Sequence, residues 1–160
     1  MKRSKLHDMT VDQLVVQFTD IALAQDKALL MGDIAKFNRL FDQMEAAEGE
    51  LKARAGDQRR ALLRLYQHRN AQVRLKAAVA TLAVAPDAAR RKLQEIADSR
   101  EYPQAGDAGM TLWNIDRGVF TPTEGRPHTA RRHNAPLGRQ RSLISSYTLQ
   151  GGGAVLRRPS

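Results

Sequence analysis

The chain of 160 residues contains no cysteine, so it has no disulfide, no thiolate nucleophile and no cysteine zinc ligand. Aromatic residues make up only 5% of the chain, and the apolar positions are mostly Leu, Ala, Val and Ile, which favours helices over sheets. No stretch of about 18 apolar residues occurs, so we expect no membrane span. The basic start is followed by an amphipathic segment containing Asp12 and Asp20, which is unlike a signal peptide. These features predict one all-α domain in a reducing cytoplasm.

Catalytic and cofactor motifs are also missing from the sequence. The four histidines, His7, His68, His128 and His133, have neither HExxH nor HxxxH spacing, so we expect no metal site. No nucleophile elbow, Walker loop or dinucleotide fingerprint occurs, and the glycines at 151–153 lack the flanking strand and helix of a phosphate-binding loop. We therefore expect a protein that is not an enzyme and that has no cofactor.

The formal net charge of +9 is concentrated at the C-terminal end of the chain. Residues 124–160 contain seven arginines and one acid, together with many Pro, Gly and Ser residues and one short apolar cluster. Because this composition offers little surface to bury, we expect residues 123–160 to be a disordered basic tail. It is either an arm that binds RNA or another phosphate-bearing ligand, or an unselected flexible extension.

The remaining sequence divides into about six helices. Thr10 and Gln13 have the spacing of a capping box, which predicts a helix over residues 11–30 with an apolar stripe that includes Gln25. A second helix is predicted over residues 34–53, and shorter ones follow between Asp57 and Gly118. We assign residues 1–9 to a flexible N-terminus and residues 10–122 to a helical domain.

Weak internal repetition suggests how these helices pack. A shift of 31 residues places Leu62 on Leu93, Leu65 on Ile96, and Ala77 on Ala108. A period near 30 to 45 residues with two helices per unit is typical of an α-solenoid, in which each helix pair stacks on the next.

The segment from Asn70 to Leu82 carries a recognisable motif. Its structural residues are Asn70, Val73, Arg74, Ala77, Ala78 and Leu82. This pattern resembles the second helix of a HEAT repeat, Asp-x-x-Val-Arg-x-x-Ala-Ala, with Asn70 where Asp is usual. The resemblance implies that Val73 anchors the first turn, that Arg74 caps or bridges repeats, and that the alanines let neighbouring helices approach closely.

A longer resemblance covers residues 11–122. It is carried by the segments LVVQFTDIA at 14–22, AKFNRLFD at 35–42, LLRLYQHRNAQVRLKAA at 62–78 and YPQAGDAGM at 102–110. These segments resemble the uncharacterised bacterial domain-of-unknown-function family two-zero-one-nine, whose members are HEAT-like α-α superhelical proteins. The resemblance implies that fold, a bacterial cytosolic setting and no assigned activity.

The charge distribution of the helical domain suggests a binding face. Residues 10–50 carry eight acids and three bases, whereas residues 57–92 carry two acids and nine bases. The nine bases are Arg59, Arg60, Arg64, Arg69, Arg74, Lys76, Arg90, Arg91 and Lys92. They could dock an acidic protein segment or a nucleic-acid backbone, or they could be solvated side chains that also contact the acidic helices.

These alternatives give two function classes. The first is a protein-binding module of the immunity or adaptor type; the second is a nucleic-acid-binding protein that uses residues 57–92 and the tail. The near balance of charge in residues 1–123 and the lack of interleaved exposed aromatics favour protein binding. We expect Trp113 to pack against the preceding helix rather than to stack on a base. The partner and the oligomeric state are left open.

Overall fold

The computed structural model describes residues 2–119 and residue 122, and within that part of the chain it contains helices and no strands. The prediction of an all-α fold is therefore confirmed. The predicted tail at 123–160 lies outside the described residues. The helices are α1 (Lys2–His7), α2 (Val11–Leu30), α3 (Ile34–Ala53), the 3₁₀ helix η1 (Gln58–Gln67), α4 (Ala71–Ala80), α5 (Pro86–Asp98) and α6 (Gln104–Asp116).

Helix α2 begins at the predicted capping box. The Thr10 hydroxyl accepts a hydrogen bond from the backbone N–H of Gln13 at 3.1 Å, and the Gln13 side chain accepts one from the backbone N–H of Thr10 at 2.8 Å. This reciprocal pair satisfies two N–H groups that the helix leaves unbonded. The bounds of α2 and α3 agree with the helices expected at 11–30 and 34–53.

The third helix differs from the expected α-helix, because residues Gln58–Gln67 form a 3₁₀ helix. A local ion pair lies at its start. The guanidinium of Arg59 donates to the carboxylate of the N-cap residue Asp57 at 2.8 and 2.6 Å, and Asp57 has a left-handed φ of 49°. The buried Leu62 and Leu65 are three residues apart, so they lie on one side of a helix with three residues per turn.

The segment expected to be a flexible N-terminus contains the short helix α1. Its C-terminal end is held by Arg54, whose guanidinium donates to the backbone carbonyls of Leu6, His7 and Met9 at 3.2, 3.1 and 2.7 Å. Arg54 lies more than 40 residues away in sequence, so nothing local in residues 1–9 indicates these bonds.

The helices pack as consecutive pairs: α2 with α3, η1 with α4, and α5 with α6. Helix α4 is central, because it also contacts α2, α5 and α6. Three apolar residues of the motif are shielded from solvent: Val73 and Ala77 on α4 are each 0% exposed, and Leu82, just after α4, is 4% exposed. The small alanines there permit close helix approach. The HEAT-like superhelical repeat itself remains a prediction.

The core of the C-terminal half joins three helices. Leu75 and Ala78 of α4 pack with Leu93 and Ile96 of α5 and with Leu112 of α6. Across the described residues, we find no helix both long enough and apolar enough to cross a membrane.

Candidate interaction site

Two of the nine predicted binding residues are buried. Arg59 is 5% exposed and is bound by the carboxylate of Asp57. Lys92 is 9% exposed; its ammonium pairs with Glu95 and lies 5.9 Å from the centre of the Tyr66 ring. The burial of these two side chains depends on their tertiary environment, which the sign of their charge does not reveal.

Three more of the nine are engaged in ion pairs within the chain. Arg64 bonds Asp12 at 2.8 Å, Arg74 bonds Glu101 at 2.6 Å, and Arg90 bonds Asp116. The exposed Arg60, Arg69 and Arg91 form no ion pair with any other described residue, but they lie on η1, on the loop before α4 and on α5. The nine bases therefore occupy several environments rather than one uniform basic face.

The motif residues Asn70 and Arg74 form hydrogen bonds with the backbone at the start of α4. The Asn70 side chain accepts hydrogen bonds from the backbone N–H groups of Gln72 and Val73 at 2.9 and 3.2 Å, as an N-cap should. Arg74 donates to the carbonyls of His68 and Arg69 at 2.8 and 3.0 Å.

Lys76 occupies an unusual position between α3, α4 and α6. It is partly buried, and its ammonium lies 5.8 Å from the ring centres of both Phe37 and Phe41. Burial lowers the pKa of Lys76, and the nearby carboxylates of Asp107 and Glu48 oppose that shift. Burial also raises the pKa of Asp107, against the effect of the lysine. The aromatic rings partly replace the water that the ammonium loses.

A buried chain of glutamines links α2, α4 and α6, and sequence reasoning missed it. Gln72 donates to the side-chain oxygen of Gln25 at 3.1 Å, and Gln104 donates to the side-chain oxygen of Gln72 at 3.1 Å. Gln104 and Asn70 also both donate to the carboxylate of Asp26, at 3.1 and 2.9 Å. Gln25 interrupts an apolar stripe, and that interruption is the sequence signal for the chain of hydrogen bonds.

One helix face differs from the usual charged exterior. On the side of α6 turned away from its buried residues lie five exposed or partly exposed residues. We call them the α6 outer face: Gly106, Gly109, Met110, Trp113 and the C-cap residue Arg117. Arg117 is the only charged member.

Trp113 is the main feature of the α6 outer face. It is 50% exposed, so the expectation that it packs against the preceding helix is wrong. The reason lies in helix phase: Ala105, Ala108 and Leu112 are buried, and Trp113 lies one residue beyond the last of them. The Arg117 guanidinium lies 4.5 Å from the centre of the indole ring, a cation–π contact.

The space beside Gly109 is open. Among the described residues, no atom lies within 4 Å of the position that a methyl group at Gly109 would occupy. The described residues contain no cluster of His, Asp or Glu suited to a metal ion. The α6 outer face is therefore an aromatic and apolar surface.

Comparisons with known proteins agree with this fold. Residues 12–116 match the family described as "Domain of unknown function (DUF2019)". The crystal structure of the protein RPA1889 from Rhodopseudomonas palustris CGA009 is similar, with 53% sequence identity and a TM-score of 0.72. The match covers 74% of this chain and 98% of that chain. No curated protein matches the sequence. The chain therefore belongs to the DUF2019 family, as its sequence segments indicate.

Proposed function

We propose that this protein is a non-enzymatic module that binds another protein, in the manner of an adaptor, through the α6 outer face. The observation that carries the proposal is the half-exposed Trp113, covered on one side by Arg117 at 4.5 Å. Tryptophan and arginine are the residue types that most often dominate the binding energy of protein interfaces. The cytoplasmic setting is part of the same proposal and is inferred from the resemblance of the sequence to its family.

The other residues of the α6 outer face suit such a contact. Gly109 lies one turn before Trp113 and has no side chain, so the backbone of a partner can approach α6 closely beside the indole. Met110 is flexible and can fill irregular gaps at an interface. Burying the exposed part of Trp113 removes apolar surface from water, which favours association.

A capture experiment tests the proposal and separates it from nucleic-acid binding. The full chain serves as bait in a lysate of its native organism, with and without nuclease, beside the variants Trp113→Ala and Arg91→Ala. We expect a specific protein to be captured after nuclease treatment by the wild type and by Arg91→Ala, and at least tenfold less by Trp113→Ala, about 1.4 kcal/mol or more at a hot spot.

Two results would contradict the proposal. Loss of all captured protein after nuclease treatment would favour the nucleic-acid alternative, which uses residues 57–92 and the basic tail. Equal capture by the wild type and Trp113→Ala would place the binding surface elsewhere. The chain has one tryptophan, so a blue shift of its fluorescence on adding the purified partner would report burial of Trp113 directly.

A further inference from the structure

Helix α2 exposes apolar side chains at a regular interval of seven residues. Val16 is 60% exposed, Leu23 is 39% exposed and Leu30 is 80% exposed. They belong to an exposed stripe whose members follow one another by three and four residues in alternation: Gln13, Val16, Asp20, Leu23, Lys27 and Leu30. This alternation is the spacing of a coiled-coil seam, which keeps one face of a helix against another helix.

Within residues 2–119, the side chains of the stripe are exposed and lie outside the buried core. The opposite side of α2, which includes Leu14, Phe18 and Ile21, forms the contact with the core. In the described part of the chain, Asp20 and Lys27 form no ion pair or side-chain hydrogen bond. Both charges, like the three apolar residues, are therefore available to another helix.

Two copies of the stripe have complementary charges when the two helices run in opposite directions. If Leu23 lies opposite its own copy in an antiparallel pair, Val16 lies opposite Leu30 of the second copy. Asp20 then lies opposite position 26 of that copy, only one residue, or about 1.5 Å of helix rise, from Lys27. The same contacts occur twice about a two-fold axis, as in an isologous dimer.

We propose that α2 pairs with α2 of a second copy of this chain as an antiparallel helix dimer, joined by the Val16, Leu23 and Leu30 stripe and by Asp20–Lys27 ion pairs. A parallel pair is disfavoured, because it places Asp20 against Asp20 and Lys27 against Lys27. The seven-residue spacing sets a crossing angle near +20°. The dimer is independent of the α6 outer face and does not rest on the proposed protein-binding function.

Cysteine cross-linking tests the antiparallel arrangement, and the cysteine-free chain gives a clean background. Leu23→Cys alone should form a disulfide-linked dimer under mild oxidation. Val16→Cys and Leu30→Cys should cross-link when mixed, but each should cross-link poorly with itself. The exposed Arg91→Cys variant measures random collision. Self-linking of Val16→Cys as fast as the mixture, or no linking above the Arg91→Cys level, would overturn the proposal.

Sedimentation equilibrium of the full chain tests the dimer and its charges. We expect the wild type to approach twice its monomer mass of 17.8 kDa, and Leu23→Glu to remain a monomer with an unchanged helical circular dichroism spectrum. Asp20→Lys and Lys27→Asp should each weaken the dimer about tenfold or more, because like charges then meet. An equal mixture of these two variants should regain the dimer, since every facing pair is again opposite in charge.

A matched control separates this surface from the proposed function. Trp113→Ala should dimerise like the wild type, and Leu23→Glu should still capture the partner protein. A wild-type mass that stays at 17.8 kDa at every concentration would overturn the dimer while leaving the function of the α6 outer face intact.

Discussion

At the scale of single residues, the structure separates charges that look alike in the sequence. Lys76 belongs to a run of bases, yet its ammonium lies over the rings of Phe37 and Phe41 instead of facing open solvent. Its pKa is lowered by burial, so the folded protein is destabilised by keeping this side chain charged. Lys76 therefore affects the free energy of unfolding through its burial and through the side chains around it.

Replacing Lys76 should reveal this effect as a change in pH dependence. Unfolding returns Lys76 to its ordinary pKa of 10.5, so the unfolded chain binds more protons than the folded chain between the lowered pKa and 10.5. Stability therefore rises with pH across that window. As the pH rises through this window, the stability of the wild type should therefore increase relative to that of Lys76→Met, which has no side chain that titrates at this position.

Urea unfolding at a series of pH values from neutral to about pH 10 measures this difference. Lys36→Met, on the exposed first turn of α3, is the control, and it should leave the pH dependence of the wild type unchanged. A constant stability difference between Lys76→Met and the wild type at all these pH values would contradict the assignment.

At the scale of elements, α6 has glycines in two conformations, one at its C-terminal end and one in its exposed middle. Gly118 follows the helix with a left-handed φ of 67°, and its N–H donates to the carbonyl of Ile115 at 3.0 Å. The N–H of Val119 donates to the carbonyl of Asn114 at 2.9 Å, which completes a Schellman C-cap. Gly109 has no such requirement, because its φ is not positive and the space beside it is open.

Alanine substitution should therefore have opposite effects at these two glycines. Gly109→Ala should stabilise the protein by about 0.5–1 kcal/mol, since alanine restricts the unfolded chain and meets no neighbouring atom. Gly118→Ala should cost about 1 kcal/mol or more, because a Cβ disfavours the left-handed conformation. Thermal and urea unfolding measure both changes. A loss of stability in Gly109→Ala would mean that the space beside it is filled in solution.

At the scale of the whole molecule, side-chain hydrogen bonds connect one helix pair to another. Arg74 joins the end of η1 to Glu101 in the loop before α6. The chain of Gln25, Gln72 and Gln104 joins α2, α4 and α6 through buried amides. Buried amides are costly unless bonded to each other, so this chain favours one arrangement of the three helices over sliding alternatives.

Removing the Arg74 side chain tests this connection. Arg74→Ala should destabilise the protein by about 1–3 kcal/mol, because three hydrogen bonds of a partly buried guanidinium are lost at once. Arg91→Ala, which removes an exposed arginine on α5, should stay within about 0.5 kcal/mol of the wild type. Equal stabilities of the two variants in urea unfolding would show that Arg74 does not connect the helix pairs.

The sequence predicted the elements well wherever the signals are local. The capping box at Thr10 and Gln13 acts within a few residues, and α2 begins there. Asn70 caps α4 in the same local way. Pro86 does not end α4, which stops at Ala80; it begins α5. The apolar period also identified the buried side of α4, because a helix repeats every 3.6 residues whatever it packs against.

Only the tertiary structure decided which contacts those elements make and which side chains they leave exposed. Helix α1 is bonded by the distant Arg54, and the buried glutamines bond because three helices meet. The exposure of Trp113 depends on which side of α6 faces α4 and α5. The sequence alone established the helical class and the family segments, because period and caps are encoded within a turn or two. The surfaces available for binding are set by long-range packing, which determines where each charge or ring is shielded from water.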